Sequence, residues 1–260
     1  FSFPYAFSLA SLGLVVVITD LARFQMHDNN PWSWAAMLAI TGTGLLAIYA
    51  VSPLTIIFSW TIIDLIEMAF IIRSLDENHL ILENILAFAA RIGGTLMVVI
   101  AAFYSRSLGQ ELILSSMLPQ VGIFLLMAAG LRLGIIPLHL PYRETGVRRG
   151  LGTIIRMVAP ASSLVVLARL PGNIVLPEWE TLLEVLLTVT MLYASLMWLM
   201  AENEIVGRPF WIITLSAFTF GCAVRYQAAA SISLGVGLLL SGGVLFLYSA
   251  RKRSLLFIPL

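Results

Sequence analysis

The sequence predicts an all-α polytopic membrane protein of about nine transmembrane helices, and three observations carry that prediction. Hydrophobic residues fill 60% of the 260 positions, charged residues only 11%, and the mean hydropathy is +0.97. A water-soluble domain does not have this composition. The apolar residues come in runs of about 20, the length that crosses a ~30 Å hydrocarbon core as a helix. The basic residues, finally, are distributed very unevenly between alternate connections.

Cutting the chain at charges, Pro and Asn leaves spans near 3–22, 32–51, 53–73, 85–104, 115–138, 151–170, 180–200, 209–225 and 229–249. Arg251, Lys252 and Arg253 close the ninth, and Ser254 to Leu260 reads as the start of a tenth. One set of connections, with the C-terminal tail, holds Arg23, Arg73, Arg143, Arg148, Arg149, Arg208, Arg251, Lys252 and Arg253. The opposite set holds Arg106, Arg169 and Arg225. Nine against three places the first set and the tail in the cytoplasm. His27, His79 and His139 fall on that same side. A formal net charge of +1 gives no electrostatic case for nucleic acid. Phe1 is followed by no charged segment with a cleavage site, so the start does not read as a signal peptide, and one or both natural ends are expected to lie outside the chain.

Ionisable residues inside spans are the functional candidates, because each is expensive in hydrocarbon and is kept for a reason. Arg91, Arg132 and Arg156 are the basic ones. Arg132 and Arg156 lie two or three turns from a helix end, so each either faces a protein interior or snorkels to the interface as a topology anchor. Asp64 sits mid-span and Glu67 three residues on, which puts both on one helix face. A carboxylate pair at that depth either binds a cation, pairs with arginine, or holds a proton. His139 joins these five as a candidate for a proton path or a buried ion pair. Glu184 and Asp20, near span ends, read as interfacial.

Pro119, Pro137 and Pro160 are expected to interrupt helices, and broken helices beside ionisable residues mark ion or substrate paths. Pro137 with Pro141 alternatively ends the fifth span. Gly93 and Gly94, with Gly235, Gly237, Gly242 and Gly243, suit close helix packing. Cys222 is the single cysteine and lies in an apolar run, which excludes a disulfide framework. With no glycine-rich phosphate loop, no histidine pair at metal or haem spacing and no Ser/His/Asp arrangement, neither a cofactor nor a catalytic residue is expected in this chain.

The stretch GLRLGIIPLHLP at 130–141, followed by a polar loop and a helix ending in VVLARL, resembles the seventh and eighth helices of the antiporter-like, proton-translocating subunits. These are shared by respiratory complex I, Mrp cation/proton antiporters and membrane-bound hydrogenases. The resemblance runs in order along nearly the whole chain. SPLTIIFSW at Ser52 to Trp60 is similar to the start of the family's fifth helix and ARIGG at Ala90 to Gly94 to its sixth. NEIVGRPFWIITLSAFTFG at Asn203 to Gly221 is similar to the family's D-I-K-R-x-x-A-Y-S-T-I-S region, and SLGVGLLLSGGVLFL at Ser233 to Leu247 to its eleventh helix. The resemblance implies an inverted-repeat bundle with broken helices, 32–170 matching the first five-helix repeat and 179–260 part of the second.

The family works with a glutamate on the fifth helix, a lysine on the broken seventh, a lysine or histidine on the eighth and a lysine on the eleventh or twelfth. Carried over position by position, the glutamate becomes Thr61, with Asp64 and Glu67 one and two turns later. The seventh-helix lysine becomes Arg132, and the eighth-helix basic site falls at Ile155 or Arg156 with Ala161 at the neighbouring lysine position. The eleventh-helix lysine becomes Gly242, and the only lysine, Lys252, is in the tail. A pumping lysine must release its proton, whereas arginine stays charged. The resemblance therefore implies a membrane subunit of a larger complex I-like assembly in a bacterial inner or equivalent energy-transducing membrane. Its role would be mainly scaffold and electrostatic, with a residual proton half-channel and none of the redox chemistry. The implied partners are other membrane subunits, the bilayer and a soluble cytoplasmic-side subunit. The alternatives are an autonomous transporter or channel coupled through Asp64, and the membrane partner of an inorganic-carbon uptake complex.

Overall fold

The structure is a computed structural model that describes residues 2–22, 31–74, 78–140, 149–171, 174–202 and 204–247. Arg23, His27, Arg143, Arg148 and the 251–260 tail lie outside the described residues. The described residues form nine α-helices: α1 Ser2–Ala22, α2 Pro31–Tyr49, α3 Pro53–Ser74, α4 Asn78–Ser107, α5 Pro119–Leu133, α6 Arg149–Arg169, α7 Pro177–Met200, α8 Glu204–Val224 and α9 Ala228–Leu247. A short 3-10 turn, Leu114–Ser116, precedes α5. Seven of the nine are long and apolar enough to cross a membrane, and this is an integral membrane protein.

Each of the nine full spans corresponds to one helix, and most differences lie at prolines. Pro31, Pro53, Pro119 and Pro177 open helices, because the first turn has no use for the missing N–H and the ring fixes a helical φ. Pro119 therefore starts α5 and does not interrupt it. Pro209 lies in the second turn of α8, which begins at Glu204, so Arg208 is helical and buried. Pro160 does not break α6 either; the helix runs through it. Around it the Ser162 and Ser163 hydroxyls donate back to the Ala159 carbonyl at 3.0 and 2.8 Å, which satisfies them in the buried interior. The break before Pro137 is a helix end. Gly134, left-handed at φ 73°, terminates α5 four residues after Gly130, whose carbonyl accepts the Ile135 N–H at 2.9 Å. The Ile136–Pro137 bond that follows is cis.

Helix α6 is the axis of the molecule. Every residue from Leu151 to Ala168 is buried, and α1, α2, α5 and α9 pack around it. On one side α2 to α5 follow one another as neighbours; on the other α7, α8 and α9 do so, and α1 closes the gap between α2 and α9. The outward faces of the peripheral helices stay apolar, as at Leu182, Val185, Val189, Leu192 and Leu196 of α7. Close approach at the α1–α9 contact needs a missing side chain: a Cβ on Gly235 would lie within 2.0 Å of the Tyr5 hydroxyl.

Half-buried Arg169 at the end of α6 donates to the carbonyls of Ile48 and Ala50 and to the Ser2 hydroxyl. It thus ties together the start of α1 and the ends of α2 and α6, all at one end of the bundle. Arg169→Ala is expected to leave two carbonyls short of a donor and to cost about 1–2 kcal/mol, a partly exposed site letting water recover some of it. Amide hydrogen exchange in the last turn of α2 should speed up while exchange in α8 stays unchanged.

A buried arginine and carboxylate cluster as the candidate functional site

Three consecutive helices, α3, α4 and α5, with α4 packed against both of the others, converge on one polar cluster. On α3, Trp60, Asp64 and Glu67 are spaced by four and three residues, which stacks them on one face, and all three are fully buried. On α4, Arg91 and Thr95 share the facing stripe, at 2% and 5% exposure. Arg132, one residue before the end of α5, completes the group at 1%. With 15 residues, α5 rises only about 22 Å. That is shorter than a ~30 Å hydrocarbon core.

Arg132 grips Asp64 with both ends of its guanidinium. Nη1 donates to Oδ2 at 2.6 Å and Nη2 to Oδ1 at 2.9 Å, the bidentate arrangement that makes arginine–carboxylate pairs strong. The same Nη1 reaches the Arg91 carbonyl and the Thr95 hydroxyl, each at 3.4 Å. Above it lies the Trp60 ring, with the guanidinium carbon 4.3 Å from the centroid. Arg91 in turn donates through Nη1 to Glu67 Oε2, and this nitrogen lies 3.8 Å from Asp64 Oδ1. The formal charges of Asp64, Glu67, Arg91 and Arg132 cancel, which is how four ionised groups can share a site removed from water.

Of the sequence candidates, the structure thus brings together Asp64, Glu67, Arg91 and Arg132. Arg156 is buried on α6 and partnered, but it enters neither of these pairs. His139 lies beyond α5, its Nδ1 bonded to the Pro137 carbonyl at 2.7 Å. Glu184 pairs with Arg225 at the surface end of α7. Trp60 and Thr95 were not among the candidates, although their offsets from Asp64 and Arg91, four residues each, are the signal that places them on the same faces. Among the described residues no three His, Cys, Asp or Glu side chains come together as a metal site would require.

Fold and site define a polytopic membrane protein with an ion-paired polar centre. No protein-family model matches the chain, and no curated protein matches it. Its fold is similar to that of a chain of the membrane-bound sulfane sulfur reductase (MBS), an archaeal respiratory membrane complex, with a TM-score of 0.76 at 17% identity. The likeness covers 94% of this chain and 44% of that one, so this chain spans less than half the length of its structural neighbour.

Proposed function

We propose that the chain is a divergent antiporter-like membrane subunit of a larger, complex I-like ion-translocating assembly. Its role is chiefly that of a scaffold with a fixed electrostatic centre, beside which a proton half-channel persists. The observation that carries this is the bidentate grip of Arg132 on Asp64. A lysine there would have to shed its proton to pump, whereas a guanidinium held by a carboxylate and an indole ring keeps its charge. The likeness to a chain of a respiratory membrane complex supports the assembly reading. In it, 32–170 is a first five-helix repeat, 179–260 is part of a second, and the C-terminal tail faces the cytoplasm.

Extracted from its native membrane in mild detergent, the tagged chain should be recovered with further integral-membrane subunits in fixed stoichiometry, as read by native mass spectrometry. Recovery as a stable monomer that carries ion flux by itself in liposomes would overturn the proposal. If Asp64→Asn then abolished that flux, the chain would be an autonomous transporter coupled through Asp64.

A further inference from the structure

The two carboxylates of the cluster are held very differently. Both Asp64 oxygens accept from Arg132, and Arg91 approaches one of them as well. Glu67 is held through Oε2 alone; among the described residues its Oε1, fully buried, accepts no hydrogen bond. A buried carboxylate oxygen without a donor is costly, and a proton placed there removes the charge that needs one.

Position adds a second argument. Glu67 lies seven residues before the end of α3 at Ser74, about 10 Å along the axis, whereas Asp64 lies about 15 Å from it. Glu67 is thus the carboxylate nearer the end of the bundle where α3 gives way to α4. Asn84, buried at 3% on the returning α4, stands near the same level. Arg91 comes from deeper on α4, and helix side chains point back toward the N-terminus, which aims its guanidinium along the row from Asp64 to Glu67.

We propose that Glu67 is the proton-binding group of this cluster and that Arg91 is the arm that answers it, a proposal that rests on the half-channel reading above. A proton taken up from water at the α3–α4 end bonds to Glu67 Oε1, and the cluster goes from net zero to net +1. Arg91 then leaves neutral Glu67 and closes the 3.8 Å gap to Asp64, sharing that carboxylate with Arg132, which does not move. On release the proton returns to water and Arg91 to Glu67. Among the described residues the charged groups facing Glu67 are Asp64 on α3, Arg91 on α4 and Arg132 on α5. Helix α2, the other main neighbour of α3, carries no charged residue, and α6 brings Arg156.

The test is infrared difference spectroscopy of the purified protein in lipid nanodiscs between alkaline and acidic buffer. Acidification should raise the C=O stretch of a carboxylic acid in an apolar setting, at higher frequency than that of exposed acids. That band should shift with carboxyl-13C glutamate and not with labelled aspartate. It should be lost in Glu67→Gln and kept in Asp64→Asn. Should either variant fail to fold, the isotope arm still separates glutamate from aspartate in the unsubstituted protein, and among the described residues Glu67 is the one fully buried glutamate to which a band from an apolar setting can belong. A band that follows labelled aspartate, a band that survives Glu67→Gln, or no such band at any pH would each overturn the proposal. None of these outcomes depends on which subunits co-purify, so the two proposals can fail separately.

Discussion

Replacing Arg132 by leucine is expected to destabilise the folded chain by about 3–5 kcal/mol, more than any other change of charge in it. The loss does not measure the strength of the ion pair. It reflects Asp64, which would remain fully buried with both oxygens stripped of their donors and only Arg91 at 3.8 Å to answer for two carboxylates. Because a membrane-embedded unfolded state also finds partners for polar groups, the lower end of that range is the better target. The double variant Arg132→Leu/Asp64→Leu should recover most of the loss, since a buried pair replaced by apolar groups of similar volume is often near neutral. Arg132→Lys should fall in between. An ammonium can hold one Asp64 oxygen well but not both, and it does not present the flat face that lies 4.3 Å from the Trp60 ring. Unfolding in mixed detergent micelles, followed by the combined fluorescence of the six tryptophans, would rank the three. A double variant no more stable than Arg132→Leu would show that the grip on Asp64 is not what makes Arg132 costly to lose.

How much of this was legible beforehand differs between fold and site. Membrane spans are visible because the bilayer imposes one length and one composition on each, and each of the nine full spans has its helix. The ends differ from the sequence reading where prolines open helices, as at Pro119, or where polar residues extend one, as in α4, which starts at Asn78 instead of near 85. Pro160 departs from expectation for another reason: a helix enclosed by α1, α2, α5 and α9 can absorb a proline that would break an isolated one. Asp64 was conspicuous as a mid-span charge, but its partner was not. Arg91, Arg132 and Arg156 all read as basic residues inside spans, and only the convergence of α3, α4 and α5 shows which of them meets Asp64. His139 and Arg156 stand out in the sequence by residue type and neighbourhood in the chain, neither of which says where a side chain lands after the helix ends or which neighbour it faces.

Gly94 is the point at which packing and charge meet, and the contrast with its neighbour is the second large effect. A Cβ on Gly94 would lie 2.8 Å from the Ala128 carbonyl oxygen and 2.8 Å from the Cγ of Arg132, so the obstacle is partly backbone and cannot simply rotate away. A Cβ on Gly93 would meet only the Leu131 Cδ1 at 3.8 Å, an ordinary contact. Gly93→Ala should therefore be neutral or stabilising by up to about 1 kcal/mol, the gain in helix propensity. Gly94→Ala should cost about 1–3 kcal/mol by overpacking, and Gly94→Val more. The decisive feature is coupling. Pushing α4 away from α5 moves the Arg132 stem and with it the guanidinium that holds Asp64, so part of the Gly94→Val loss is the loss of that grip. In the Arg132→Leu/Asp64→Leu background the same substitution should cost less, with an interaction of about 0.5–3 kcal/mol in a double-mutant cycle. Equal costs in the two backgrounds would mean that Gly94 only keeps two helices close, and that the charged centre does not depend on how closely they pack.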